Sequence, residues 1–191
     1  MISWPIWISG ILFALVHSLF AAGRCKALFY RLGMRVHHYR LLYSIFATFL
    51  TGLWLLYIYM LPDSMLYMIN GWFMWPLLFI QLIGAGVALL SLRSFDAALF
   101  LGLRESKDRE PFHEHGLYRF VRHPMYSGVM MLLLASPTQS VNSLNLALFV
   151  SLYFIVGSRL EEARMLKVHP EYADYQHRVA AFIPRFTLLS R

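Results

Sequence analysis

Long apolar runs separated by short polar segments dominate the chain. They cover residues 2–22, 41–61, 72–92, 125–137 and 144–160. About 20 residues of α-helix are needed to cross the roughly 30 Å of hydrocarbon in a bilayer. The pattern therefore predicts an all-α, polytopic integral membrane protein with about five transmembrane helices.

The fourth run is shorter than a full crossing, and the loop after it, residues 138–143, is polar but uncharged. Pro124 suits the first turn of a helix, where its missing N–H costs nothing. Gly128 would let a neighbouring helix or a ligand approach the backbone closely. We expect a helical hairpin here. Beyond the last run, apolar side chains at helical spacing predict a C-terminal amphipathic surface helix with the stripe Tyr172, Tyr175, Val179 and Phe182.

The 17 basic residues are confined to three segments, 24–40, 93–122 and 159–191. This segregation is the positive-inside signature, and it argues against nucleic acid as the reason for the net charge of +7. With five spans, it places the N-terminus outside and the C-terminus in the cytosol. Residues 104–114 mix both signs and are expected to form a solvated loop.

Composition narrows the class further. With 59% apolar residues and a mean hydropathy of +0.55, the 191-residue chain has room for one membrane domain and little else. Its single cysteine, Cys25, excludes an intramolecular disulfide and a paired-thiol metal site. The histidines show no recurring ligand spacing, so we expect no metal.

Chemistry-bearing residues concentrate on either side of the predicted hairpin. The stretch from His115 to Gly128 reads His-Gly-Leu-Tyr-Arg-Phe-Val-Arg-His-Pro-Met-Tyr-Ser-Gly, and Glu161 and Glu162 follow the hairpin. A single charge at the end of a span is usually an interface anchor. Several ionisable groups at membrane depth are costly unless paired, which makes this cluster a candidate polar pocket at the membrane edge.

These residues resemble a known enzyme superfamily. The pattern Gly-x-Tyr-x-x-Val-Arg-His-Pro-x-Tyr-x-Gly, followed by Glu-Glu and by Glu-Tyr-x-x-Tyr-x-x-x-Val-x-x-x-Ile-Pro, is similar to that of the isoprenylcysteine carboxyl methyltransferase and phospholipid methyltransferase superfamily. Within it, the chain looks most like the bacterial methanethiol S-methyltransferase (NnrU-like) branch. Four segments carry that second likeness: His17-Ser18, residues 39–43, residues 94–96 and residues 102–104.

The resemblance implies a cofactor, S-adenosyl-L-methionine, and a set of site residues. A carboxylate of Glu161 or Glu162 would pair with the cofactor's ammonium or ribose hydroxyls, and Arg122 or His123 would hold its carboxylate. Arg178 matches an arginine placed near the catalytic centre of the family. The implied cofactor-binding residues are His115, Gly116, Tyr118, Arg122, His123, Pro124, Tyr126, Gly128, Glu161 and Glu162, and the implied catalytic residues are Arg178, Glu162 and His17.

The acceptor implied by the branch is a small or lipophilic molecule, most simply a thiol of the methanethiol type. A thiolate is the nucleophile, so Arg178 could stabilise it while His17 or His123 accepts the proton. We assign residues 1–93 to the substrate side and residues 94–191 to the catalytic core of a single domain in a bacterial inner membrane. The oligomeric state is left open.

Other functions are compatible with the same motifs. The acceptor could instead be an isoprenylated cysteine or a phospholipid headgroup. Sterol reductases share a His-Pro-x-Tyr motif, but they use a nicotinamide cofactor and have many more spans. A non-catalytic, NnrU-type transport or scaffold protein would have a similar layout and would bind no methyl donor.

Overall fold

A computed structural model of the chain describes residues 2–94, 96–104 and 114–185. The chain forms two compact units, each built from separate stretches of sequence. The mixed-charge loop predicted at residues 104–114 falls largely outside the described residues. The functional boundary predicted between residues 93 and 94 stays a prediction, because compactness does not report on function.

The first unit contains helices α1 (Trp4–Ala21), α2 (Gly23–Arg31) and α3 (Val36–Met60), the short helix α5 (Ala97–Phe100), and residues 140–146. Aromatic and hydrogen-bonded pairs join α1 to α3. Phe13 stacks on Trp54 at 4.7 Å between ring centroids, and the indole of Trp54 donates to the hydroxyl of Ser9 over 3.1 Å. These pairs keep polar atoms satisfied between two helices that are otherwise apolar.

A group of polar residues forms hydrogen bonds at one end of the first unit. The carboxylate of Asp63 accepts hydrogen bonds from the backbone N–H groups of Ser64 and Asn142, at 2.8 and 3.0 Å. The side-chain oxygen of Asn145 accepts from the indole of Trp7 at 2.8 Å and from the backbone of Ser3 at 3.1 Å. Backbone groups at the start of α1 and in the 61–64 connection are satisfied in this way.

The second unit contains α4 (Met74–Leu92), α6 (Pro124–Leu134), most of α7 (Val141–Val168) and α8 (Tyr172–Arg178). Helices α4 and α6 cross with their backbones almost touching. A Cβ added to Gly84 would lie 2.6 Å from the carbonyl oxygen of Gly128, and one added to Gly128 would lie 2.5 Å from the carbonyl oxygen of Gly84. Glycine at both positions is therefore what allows this crossing. Two short strands, β1 (Met65–Met68) and β2 (Thr138–Ser140), pair next to it.

The predicted fold class is confirmed: the chain is an all-α, polytopic membrane protein. Among the described residues, four helical segments are long and apolar enough to span a bilayer, Trp4–Ala21, Val36–Met60, Gly71–Leu92 and Val141–Val168, and α6 is a shorter apolar helix. The hairpin connection holds β2 rather than an irregular loop. Helix α7 continues well past residue 160, because Arg159, Glu161 and Glu162 all have helical backbone. The two glutamates therefore lie within the helix and not beyond it.

The C-terminal helix is shorter than its apolar stripe suggested. Helix α8 has seven residues, and it ends at Arg178 with Val179 already extended. Tyr172, Tyr175 and Val179 are buried together as the stripe predicted. Phe182 is not part of that helix, because the chain here runs beside residues 121–123 instead.

Candidate active site

The segment from His115 to Pro124 enters the second unit through a turn of 3₁₀-helix. Gly116–Arg119 form that turn, with Gly116 at φ +63°, a left-handed conformation that glycine adopts without steric cost. His115 and Gly116 are exposed, whereas Val121 and His123 are buried. Pro124 then opens α6 at a position where a missing N–H does no harm.

Glu162 is the centre of a buried polar network. Its Oε1 accepts from the guanidinium Nε of Arg122 at 2.6 Å and contacts Nε2 of His123 at 2.9 Å, and its Oε2 accepts from the amide of Gln176 at 2.7 Å. The side chains of Arg122 and Glu162 are each 9% exposed. Because both carboxylate oxygens are engaged and the opposite charge is in contact, the burial of this glutamate is compensated.

The same arginine attaches the C-terminal segment. One Nη of Arg122 donates to the carbonyl oxygens of Gln176, at 3.0 Å, and of Val179. Backbone bonds run alongside: the N–H of Arg122 donates to Ala180 at 2.8 Å, and that of His123 donates to Ala181 at 3.0 Å. The Arg-His-Pro segment is therefore held from two sides, by α7 through Glu162 and by the chain that follows α8.

Glu161 differs from its neighbour. Its side chain is 47% exposed, and it accepts a hydrogen bond from the hydroxyl of Tyr126 at 3.2 Å. The ring of Tyr126 is stacked between those of His123, at 5.4 Å, and Phe154, at 4.4 Å. This places an accessible carboxylate, a suitable partner for a cationic group, at the edge of a stack of three aromatic rings.

Two tyrosines outside the spanning helices stay protonated at neutral pH. Burial, with a smaller contribution from the charge of Glu161, raises the pKa of Tyr118 to about 12. Burial also raises the pKa of Tyr175, whose hydroxyl donates to the carbonyl oxygen of Tyr118 at 2.6 Å. This hydrogen bond fixes α8 to the 3₁₀ turn, so the two elements are held in a defined relative position.

Arg178 ends α8 and is 62% exposed at its side chain. Its guanidinium contacts the carboxylate of Glu114 at 3.0 Å. The cation of Arg178 is therefore exposed, and the carboxylate of Glu114 holds its guanidinium in place.

His17 lies in the first unit, about one turn before the C-terminal end of α1. Its Nε2 is 3.1 Å from the hydroxyl of Tyr43, and its ring stacks on that of Phe13 at 5.6 Å. Both residues come from segments singled out by the resemblance, and the structure brings them together as one pair. The catalytic role of His17 stays a prediction.

The predicted residues of the second unit therefore divide into groups. Arg122, His123, Tyr126, Glu161 and Glu162 form one connected network, whereas His115, Gly116 and Tyr118 form the turn that leads to it. Gly128 serves the crossing with α4. Their roles in binding a cofactor stay predictions.

Sequence reasoning missed three contributors. Gln176 binds Glu162, Phe154 stacks on Tyr126, and Phe182 accepts from the hydroxyl of Ser127 at 2.8 Å through its carbonyl oxygen. Glutamine and phenylalanine are common on helices, so Gln176 and Phe154 could not be recognised by residue type. The contribution of Phe182 comes from its backbone carbonyl, which is independent of the side chain and cannot be predicted from the sequence. The position of Gln176 directly after the Tyr-x-x-Tyr segment was the one available signal.

Comparison with known proteins agrees with the family resemblance that the sequence motifs indicate. A family model described as "Protein of unknown function (DUF1295)" matches residues 21–179. The chain belongs to this family. A Bradyrhizobium diazoefficiens protein named methanethiol S-methyltransferase 2 is 27% identical over 186 residues, which cover 91% of this chain and 70% of that protein. The predicted resemblance to the methanethiol S-methyltransferase branch is confirmed.

Shorter matches show higher identity. A methanethiol S-methyltransferase from Pseudomonas deceptionensis is 39% identical over 69 residues, 36% of this chain and 26% of that protein. Methanethiol S-methyltransferase 1 of B. diazoefficiens is 38% identical over 69 residues, 36% of this chain and 24% of that protein. In these two cases the match covers only about a quarter of the relative. No solved structure matches the chain significantly.

Proposed function

We propose that this protein is an S-adenosylmethionine-dependent methyltransferase whose acceptor is a small thiol of the methanethiol type. The observation that carries the proposal is the likeness to a methanethiol S-methyltransferase along 91% of the chain. The network around Glu162 supports it, because it places the family's Arg-His-Pro and Glu-Glu motifs against each other in one rigid site.

The residues present fit the chemistry of the methyl donor. S-adenosylmethionine has an ammonium, a sulfonium, a carboxylate and ribose hydroxyls, so it needs an accessible anion, an aromatic face and polar donors. Glu161 supplies the accessible anion, and its carboxylate is held by the hydroxyl of Tyr126. The hydroxyl of Tyr118, neutral at physiological pH as in any tyrosine, is suited to donate a hydrogen bond.

In this proposal the adjacent residues Glu161 and Glu162 have different roles. Both oxygens of Glu162 are already bound by Arg122, His123 and Gln176, so Glu162 orients the motif and does not serve as a cofactor ligand. Glu161 carries the exposed carboxylate that meets the cofactor's positive charge. This assigns to Glu161 alone a role that the sequence left open between the two residues.

Bound S-adenosylmethionine would supply an electrophilic methyl group. Around it, the chain's own task is to align the acceptor, exclude water and handle one proton. Arg178 would lower the pKa of the acceptor thiol by favouring its thiolate. The proton would pass to Nδ1 of His123, whose Nε2 faces Glu162.

The test is product formation by purified protein in detergent, given isotopically labelled S-adenosylmethionine and methanethiol. We expect labelled dimethyl sulfide from the wild type, little from Glu161→Gln, and unchanged calorimetric binding of S-adenosylmethionine in His17→Gln. Parallel reactions with a farnesylated cysteine peptide and with phosphatidylethanolamine compare the alternative acceptors. A folded protein that binds no S-adenosylmethionine would refute the proposal and favour the transport or scaffold reading.

A further inference from the structure

Helix α2 connects two membrane-spanning helices and is strongly basic. It begins one residue after Ala22, whose extended backbone ends α1, and α3 starts at Val36. Arg24, Lys26 and Arg31 lie on this nine-residue helix, and residues 22–40 contain no acidic residue. Because both ends are tied to the ends of spanning helices, α2 is kept at the level of the lipid headgroups.

One face of α2 is packed against the protein. Cys25, Lys26, Phe29 and Tyr30 are half-buried on this side. The rings of Phe29 and Tyr30 lie 5.3 and 5.8 Å from that of Tyr39 on α3. The hydroxyl of Tyr39 in turn donates to the carbonyl oxygen of Phe20, near the end of α1, at 2.6 Å. Tyr39 thus fixes α2 against its two neighbours and defines which side faces outward.

The outward face carries two arginines and exposed leucines. Arg24, Ala27, Leu28 and Arg31 are exposed, and their spacing of three to four residues places them on one stripe of the helix. Leu28 is 56% exposed, and Leu32, just past the end of the helix, is 75% exposed. A phospholipid has partners for both kinds of side chain. Its acyl chains can contact the exposed leucines, and its phosphate can bind the two guanidinium groups.

We propose that the outward face of α2, formed by Arg24, Leu28 and Arg31, binds the headgroup phosphate of an anionic phospholipid. Guanidinium groups bind phosphate oxygens in a bidentate manner and are weakly hydrated, which suits an interfacial site. The surface is separate from the network around Glu162 in its residues, and the inference does not depend on methyltransferase activity.

The test is a titration of detergent-solubilised, full-length protein with dioleoyl-phosphatidylglycerol, monitored by the midpoint of thermal unfolding. We expect phosphatidylglycerol to raise the midpoint of the wild type and, to a smaller extent, that of Arg24→Lys/Arg31→Lys, which keeps the charge but not the bidentate geometry. Dioleoyl-phosphatidylcholine should have little effect. In Arg24→Gln/Arg31→Gln the apparent affinity should fall about 30-fold. Arg164→Gln/Lys167→Gln, which removes the same charge from the exposed side of α7, should respond as the wild type does.

In the lipid titrations, three results would overturn the inference: a wild-type response in the Arg24→Gln/Arg31→Gln variant, an equal loss in the Arg164→Gln/Lys167→Gln control, or an equal response to phosphatidylcholine. A last titration replaces the lipid by glycerol phosphate at the same concentration. Because the site requires the acyl chains as well as the phosphate, we expect it to produce no shift, and a full shift would contradict the assignment to a lipid.

Discussion

The network around Glu162 and the helix pair α1–α3 place polar groups among apolar helices in different ways. In the network, three side chains, those of Arg122, His123 and Gln176, share the carboxylate of Glu162, and the buried guanidinium meets its counter-charge. Between α1 and α3, polar groups occur in separate pairs, Ser9 with Trp54 and His17 with Tyr43. Removing a hydroxyl from one of these pairs loses hydrogen bonds between neutral groups, whereas removing the shared carboxylate leaves a buried cation without its counter-charge. The two regions should therefore differ in their sensitivity to single substitutions.

The largest effect is expected from Glu162→Ala. It leaves the guanidinium of Arg122 buried without its counter-charge, which costs about 3–5 kcal/mol. The midpoint of thermal unfolding in detergent should fall steeply, and the residues after α8 should become accessible to protease. Glu161→Ala is the matched control, because its side chain is 47% exposed and its loss should hardly change stability. Equal destabilisation by both substitutions would contradict the division of roles between the glutamates.

Gly84→Val tests whether the crossing of α4 and α6 positions the site. The added side chain would meet the backbone of α6 around Gly128, and we expect a loss of about 1–3 kcal/mol or more. Binding of S-adenosylmethionine should weaken as well, since α6 begins directly after His123. Gly86→Val, on the same helix but with open space at the Cβ position, is the control. A similar melting midpoint for both variants would show that the close approach has no energetic significance.

A smaller effect is expected in the first unit. Tyr43→Phe removes the hydroxyl that contacts His17, and a single hydrogen bond of this kind contributes about 0.5–1.5 kcal/mol. The midpoint of unfolding should drop by a few degrees. Tyr59→Phe serves as control, because Tyr59 is 86% exposed. If Tyr43→Phe proved as damaging as Glu162→Ala, the contrast between paired and networked polar groups would be wrong.

The smallest effect concerns pH. Partial burial of Asp63 opposes its ionisation, but hydrogen bonds from Ser140, Asn142 and Ser64 outweigh this and lower the pKa of its carboxyl group. A carboxyl pKa lowered by folding contributes stability above its unfolded value, near 4, and loses it as pH falls through the folded value. Asp63→Asn should therefore flatten the dependence of the unfolding midpoint between pH 6 and pH 3. An unchanged pH profile would contradict this role.

The spans and the motif segments could be predicted because hydropathy and residue type carry them directly. Other features could not. Helix α2 has too few apolar residues for a span, and its orientation depends on Tyr39, which follows it in the sequence. The adjacent residues Glu161 and Glu162 look alike in sequence, yet the 100° turn between them on α7 places only Glu162 toward Arg122. The close approach of α4 to α6 requires glycine at two positions far apart in sequence, Gly84 and Gly128, and nothing local marks them as partners.

The attachment of the C-terminal segment has a consequence for how the protein is made. Arg122 is translated 40 residues before Glu162 and 57 residues before Val179, although it binds both. A ribosome therefore delivers the cation to the membrane well before either partner leaves the exit tunnel. Until then the arginine must remain in water or be shielded by the insertion machinery, and slowing elongation over residues 123–161 should lengthen the period in which the nascent chain is vulnerable to quality-control proteases.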